Sequence, residues 1–145
     1  MNLREWAATK RANLQLMADN RQREGLTLAL DLLALIQLRI QTQGRNSAGA
    51  AFVPYSPAYA AKRKSKGRQT SIVDFTDTGA MWRNTTGRVI DHSLLSTTIE
   101  IGAQDSLSRE KLAAPLTVPK GRPRGFLLRP SADEVQIVMR TCRGF

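Results

Sequence analysis

Leu26-Thr27-Leu28-Ala29-Leu30-Asp31-Leu32-Leu33-Ala34-Leu35-Ile36-Gln37-Leu38-Arg39-Ile40 is the stretch that decides the fold. Leu26, Ala29, Leu30, Leu33, Ile36 and Ile40 repeat at the helical period, so the segment reads as an amphipathic helix. Leu28, Leu32 and Leu35 fill a neighbouring face, which makes the apolar surface wider than one core contact needs. The alternation of Leu26, Leu28 and Leu30 would also suit a strand. The Leu, Ala and Gln content, without β-branched enrichment, favours helix. Gln43-Gly44 is a C-terminal stop.

Upstream, the helical reading extends back to residue 3 through a polar half with Trp6, Ala7, Leu14 and Met17 as scattered apolar points. Residues 1–25 thus read as a polar helical extension of a single domain spanning 1–145. Gly25 costs a helix about 1 kcal/mol relative to alanine, so either a bend or two helices is expected there. The apolar stretch, residues 26–40, falls short of the ~20 residues of a membrane-spanning helix and carries Asp31 and Arg39, so no membrane helix is expected. The N-terminus lacks the apolar core of a signal peptide.

Downstream, residues 44–80 read as a long loop rich in Gly, Ser, Pro and cations, a length that is usually functional or disordered. Asn46-Ser47-Ala48-Gly49 is expected to be mobile, and Ala58 to Lys62 to form a helical turn after Pro57. Lys62, Arg63, Lys64, Lys66 and Arg68 place five cations in seven positions. Their repulsion predicts an extended, solvated segment. The polar composition of 44–70 predicts that this loop orders only on docking.

Residues 85–128 read as sheet. Leu95, Thr97, Ile99 and Ile101 alternate with Ser96, Thr98 and Glu100, as in a half-buried strand. Arg88-Val89-Ile90 pairs with it across a turn at Asp91-His92-Ser93. Gln104 to Ala114 reads as surface loop or short helix, Leu116-Thr117-Val118 as a third strand, and Phe126-Leu127-Leu128 as a fourth strand or a core plug. Ser131-Ala132-Asp133-Glu134 is a capping box opening a last helix over 131–142. Val135, Val138, Met139 and Cys142 are expected on its buried face. The fold class is therefore α+β: two helices packed on a small, mainly antiparallel sheet, with a long cationic loop.

The chain of 145 residues has an ordinary apolar fraction (41%) but a formal net charge of +10. That charge implies an anionic partner: nucleic acid, an acidic protein face or an anionic surface. One cysteine excludes an internal disulfide and suits a reducing cytoplasm. No catalytic constellation, cofactor motif or metal cluster is legible. His92 falls in a turn and reads as exposed. Cys142 reads as a structural thiol, and Asp74 and Asp77 as solvated loop or capping residues. Lys62, Arg63, Lys64, Lys66 and Arg68 form one cationic segment, and Lys120, Arg122, Arg124 and Arg129 a second. Both fit an acidic protein neighbour, DNA phosphates or a merely solubilising surface. Tyr55 and Tyr59 would anchor the loop or a partner, and Trp82 reads as core.

The order of short motifs resembles the tail-completion (virion-morphogenesis, neck) proteins of tailed bacteriophages. A helix leads to Phe52-Val53-Pro54-Tyr55-Ser56, then a lysine stretch over Lys62 to Lys66, then Val73 through Thr78-Gly79-Ala80-Met81-Trp82-Arg83. A hairpin follows, and Gly121-Arg122-Pro123-Arg124-Gly125-Phe126-Leu127-Leu128 leads through Pro130-Ser131 to the last helix. The resemblance covers about residues 26–143. It implies a non-enzymatic virion protein, assembled in the host cytoplasm as a ring, commonly a hexamer, at the neck. Its partners would be copies of itself, the head connector or adaptor, and the tail tube or terminator. Weak contact with genomic DNA in the channel would be compatible with this; no cofactor or membrane is implied. Thr78, Gly79 and Trp82 would hold the fold. A small basic, non-specific DNA-binding protein for genome packaging or compaction is the alternative.

Overall fold

The computed structural model describes residues 3–113 and 127–142. Helix α1, Leu3–Leu38, runs 36 residues without a break and ends in a π-helical turn, Arg39–Gln43. The helix does not divide in two at Gly25, and this glycine has a packing role. A Cβ there would lie 2.5 Å from Thr97 Cγ2 and 3.1 Å from Val89 Cγ2. The missing side chain lets α1 settle on the sheet, and burial against it offsets the propensity cost. Gly87 repeats the device from the opposite side, where a Cβ would meet Ala29 Cβ at 2.7 Å. Gly44 terminates the helical run as expected, at φ +61°, with its amide on the Ile40 carbonyl.

Among the described residues the sheet is an antiparallel hairpin, β1 Thr85–His92 with β2 Thr97–Ala103, in the register Gly87↔Ile101 and Val89↔Ile99. A bulge falls between Val89 and Asp91. The alternation read from sequence holds over Thr97–Ile101, but β2 begins two residues later than expected. Leu95 is 98% exposed in the turn Ser93–Ser96, whose Ser93 hydroxyl accepts from the amides of Leu95 and Ser96. His92 ends β1, half-buried, rather than sitting exposed in the turn.

Beyond the hairpin, α4 spans Ser106–Ala113, with Asp105 Oδ1 accepting from the Ser108 amide at 2.8 Å. Hydrogen bonding by the Ser108 side chain, followed by its amide, holds the half-buried Asp105 carboxyl below its usual pKa. The short-helix reading of 104–114 therefore holds over α4. The expected strand at Leu116-Thr117-Val118 lies outside the described residues, as does Phe126. Leu127 is a core plug, 3% exposed, and lies in a turn rather than a strand.

Helix α5, Ala132–Cys142, opens with the expected capping box. The Glu134 amide donates to Ser131 Oγ (3.2 Å), and the Ser131 amide to Glu134 Oε2 (2.7 Å). Its buried face is not the expected one. Val138 is buried, whereas Val135 and Met139 are largely exposed. The reason is Glu134, 6% exposed: it forms a buried ion pair with Arg39, and this turns the 134/138 side of α5 inward. The side chain of Cys142 lies outside the described residues.

The core joins Leu32, Ile36 and Ile40 of α1 and its π turn to Met81, Trp82, Leu127 and Val138. Leu26 and Leu30, expected inward, are largely exposed, so the buried stripe of α1 is rotated towards Leu32 and Arg39. The run Arg4–Gln43 is long and apolar enough to cross a membrane by length and composition, which the sequence reading did not expect. Here Ala29, Leu33 and Ile36 of that run are spent on the body instead. The remainder of α1, from residue 4 to residue 24, has side chains that are exposed or only half-buried.

Candidate functional site: a cationic helix built on a buried carboxylate

Residues 44–83 hold the segment with the strongest functional expectation, and they are more structured than the composition suggests. The stretch expected to be mobile forms a closed turn. Asn46 Oδ1 accepts from the amides of Ala48 and Ala50, and Arg45 bridges Ala51. Phe52 then packs edge-on against Phe75, with ring centroids 4.8 Å apart.

Instead of an extended segment, Lys62, Arg63, Lys64 and Ser65 belong to helix α2, Pro57–Ser65. Ser56 caps it by accepting from the Tyr59 amide, and Pro57 occupies the first turn. The cations cluster in the last turn, where the helix dipole favours positive charge. Gly67, at φ +67°, closes the end.

Repulsion among the cations is overcome by Arg63, which is 3% exposed and fully engaged. Its Nε donates to the Gln69 carbonyl (3.0 Å), Nη1 to the Thr76 carbonyl (2.6 Å) and Nη2 to Asp74 Oδ1 (3.2 Å). The guanidinium also lies 4.6 Å from the centre of the Tyr55 ring. Asp74, 7% exposed, is the hub. It accepts from the Tyr55 hydroxyl (3.0 Å), the Thr76 amide (3.0 Å) and Gln69 Nε2 (2.7 Å), and its carbonyl accepts from Trp82 Nε1 (3.3 Å). Asp74 is thus neither a solvated nor a simple capping residue, and its oxygens are committed to protein donors. Burial, followed by the hydrogen bond to Asp74 and that carboxylate's charge, pushes the Tyr55 hydroxyl above its usual pKa.

This hub separates the expected site residues. Lys62, Lys64 and Lys66 face solvent, as does Tyr59, whose ring lies 5.3 Å from that of Tyr55. Arg63 and Tyr55 support the helix from below. Arg68 is paired with Asp77. Thr78, exposed, and Gly79, at φ +77°, lead into helix α3, Ala80–Arg83, and Trp82 is buried in the core. Arg129 is exposed, and its carbonyl accepts from Arg39. Lys120, Arg122 and Arg124 lie outside the described residues.

Sequence reasoning missed the buried role of Asp74, although a signal was present: a carboxylate set among Ile72, Val73 and Phe75 is poorly placed for solvent. It also missed Arg39, flanked by Leu38 and Ile40, whose pairing with Glu134 spans 95 residues. Among the described residues, no group of three His, Cys, Asp or Glu side chains is placed to hold a metal ion. The arrangement leaves Lys62, Lys64 and Lys66 as an exposed cationic surface at the end of α2.

Compared with family models, curated proteins and solved structures, the chain matches none of them.

Proposed function

We propose that this chain is a structural protein of a tailed-phage virion, forming a ring at the neck or tail end that completes the tail and joins it to the head. One observation carries the reading. The short motifs whose order resembles the neck proteins converge on one buried residue, Asp74: Tyr55 and Arg63 of the cationic stretch donate to its carboxylate and Trp82 to its main-chain carbonyl. What that cluster offers outward is Lys62, Lys64 and Lys66, a surface suited to an acidic connector face or to weak contact with DNA phosphates. The domain also leaves Val135, Ile137 and Met139 of α5 and Leu94 and Leu95 of the hairpin uncovered. Apolar surface of this kind suits subunit contacts, which in a ring are heterologous.

The test is electron microscopy of lysates from a phage carrying Lys62→Glu/Lys64→Glu/Lys66→Glu in this gene, beside a deletion. All three side chains are exposed, so the variant should fold. Filled heads beside separate tails are expected in both cases. Empty heads with unpackaged DNA would overturn the neck reading in favour of a basic DNA-binding protein for packaging or compaction.

A further inference from the structure

Among the described residues, little packs against the outer half of α1. Residues 4–24 gain little from the body, whereas most helices in proteins owe their stability to a packed face. Trp6, Leu14 and Met17 are each about half exposed. They are not scattered. Trp6, Lys10, Leu14, Met17, Glu24 and Leu28 follow at steps of three, four or seven residues and so share one side of the helix. That stripe leads into an open cleft of about 490 Å3, formed where α1 meets the hairpin turn and α5 and lined by Leu28, Leu95 and Met139 among others.

The stripe is complementary to itself in one register. In an antiparallel pairing centred on Met17, seven residues outward on each side bring Lys10 opposite Glu24. Eleven residues outward bring Trp6 opposite Leu28, at the cleft. Arg21 falls opposite Asn13, and Arg11 and Arg23, which the register also sets level, lie off the stripe on each helix. Lys10 now lies over the Trp6 ring at 5.9 Å, and Glu24 forms an exposed pair with Arg21 at 3.7 Å. Both are weak surface contacts, readily exchanged for others.

We propose that the exposed half of α1 pairs antiparallel with the same half of a second copy, with Met17 on the two-fold axis and each Trp6 seated in the partner's cleft. The overlap, residues 6–28, is about 35 Å long. One helix width makes this a small interface, and its affinity is expected in the micromolar range. Such an isologous pair does not rest on the neck reading, whose ring contact is heterologous; either can fail without the other.

Sedimentation equilibrium of the full chain from about 1 to 100 µM tests the pairing. A concentration-dependent dimer is expected. Trp6→Ala should abolish it, and Lys10→Glu should weaken it about tenfold through two reversed contacts. Adding Glu24→Lys to Lys10→Glu should restore it. In a Cys142→Ser background, Met17→Cys should give a covalent dimer with a short bis-maleimide, whereas Leu16→Cys, on the other side of the helix, should not. A monomer throughout, failure of the charge swap to rescue a chain of unchanged helicity, or equal cross-linking at 16 and 17 would each overturn the proposal.

Discussion

Among the described residues two arginine–carboxylate pairs are buried, and they have different structural consequences. Arg39 and Glu134 lie 95 residues apart and join the end of α1 to the start of α5. Arg39 also donates to the carbonyls of Arg45 and Arg129, and Glu134 completes the α5 capping box. Arg63 and Asp74 lie only 11 residues apart and organise a loop. The first pair closes the fold; the second shapes a surface. A buried pair is weak evidence of net stabilisation, since desolvation opposes the attraction. Removing one partner is costly in either place, because it strands the other.

Arg39→Ala sharpens the comparison most. It strands Glu134 and frees two carbonyls, so a loss of about 3–5 kcal/mol is expected, seen as a single cooperative shift in guanidinium melts. Asp74→Asn should cost less overall, about 2–3 kcal/mol, and its effect should be local. Hydrogen exchange should quicken across 55–76 while amides of α1 between 29 and 40 keep their protection. If both variants unfold globally to the same extent, the division between a fold-closing and a surface-shaping pair is wrong.

Gly25→Ala probes the helix–sheet contact. On an exposed helix this change would stabilise by about 1 kcal/mol; here the new methyl meets Thr97 Cγ2, and a loss of about 1–3 kcal/mol is expected. A gain in melting temperature would show that α1 does not need its close approach to β2. Tyr55→Phe should have the smallest effect at neutral pH, about 1 kcal/mol from the hydrogen bonds to Asp74. It also carries a pH signature. The folded hydroxyl titrates above its unfolded value of 10.0, so its contribution is complete below that pH and is lost as pH rises through the folded pKa. The alkaline loss of stability should therefore be smaller in Tyr55→Phe than in the parent chain.

The contrast also explains what could be read in advance. Local signals were legible: the helical period over 26–40, the stop at Gly44, the alternation of Thr97 to Ile101, and the capping box at Ser131. Each depends on neighbours a few residues away. The first cationic segment was legible as charge but not as shape, because Arg63 is set apart from Lys62 and Lys64 only by a carboxylate 11 residues on. Gly25 misled for the same reason. Its local meaning is a helix breaker, while its role depends on Thr97 and Val89 across the sheet.

By itself, the sequence determined the fold class, most element positions and the excess of positive charge, since periodicity, caps and composition are short-range properties of the chain. Only the tertiary structure decided which cations are buried, which face of α5 turns inward and how much of α1 is left uncovered. Those outcomes depend on where a buried charge finds its partner, and that partner is chosen by packing rather than by spacing.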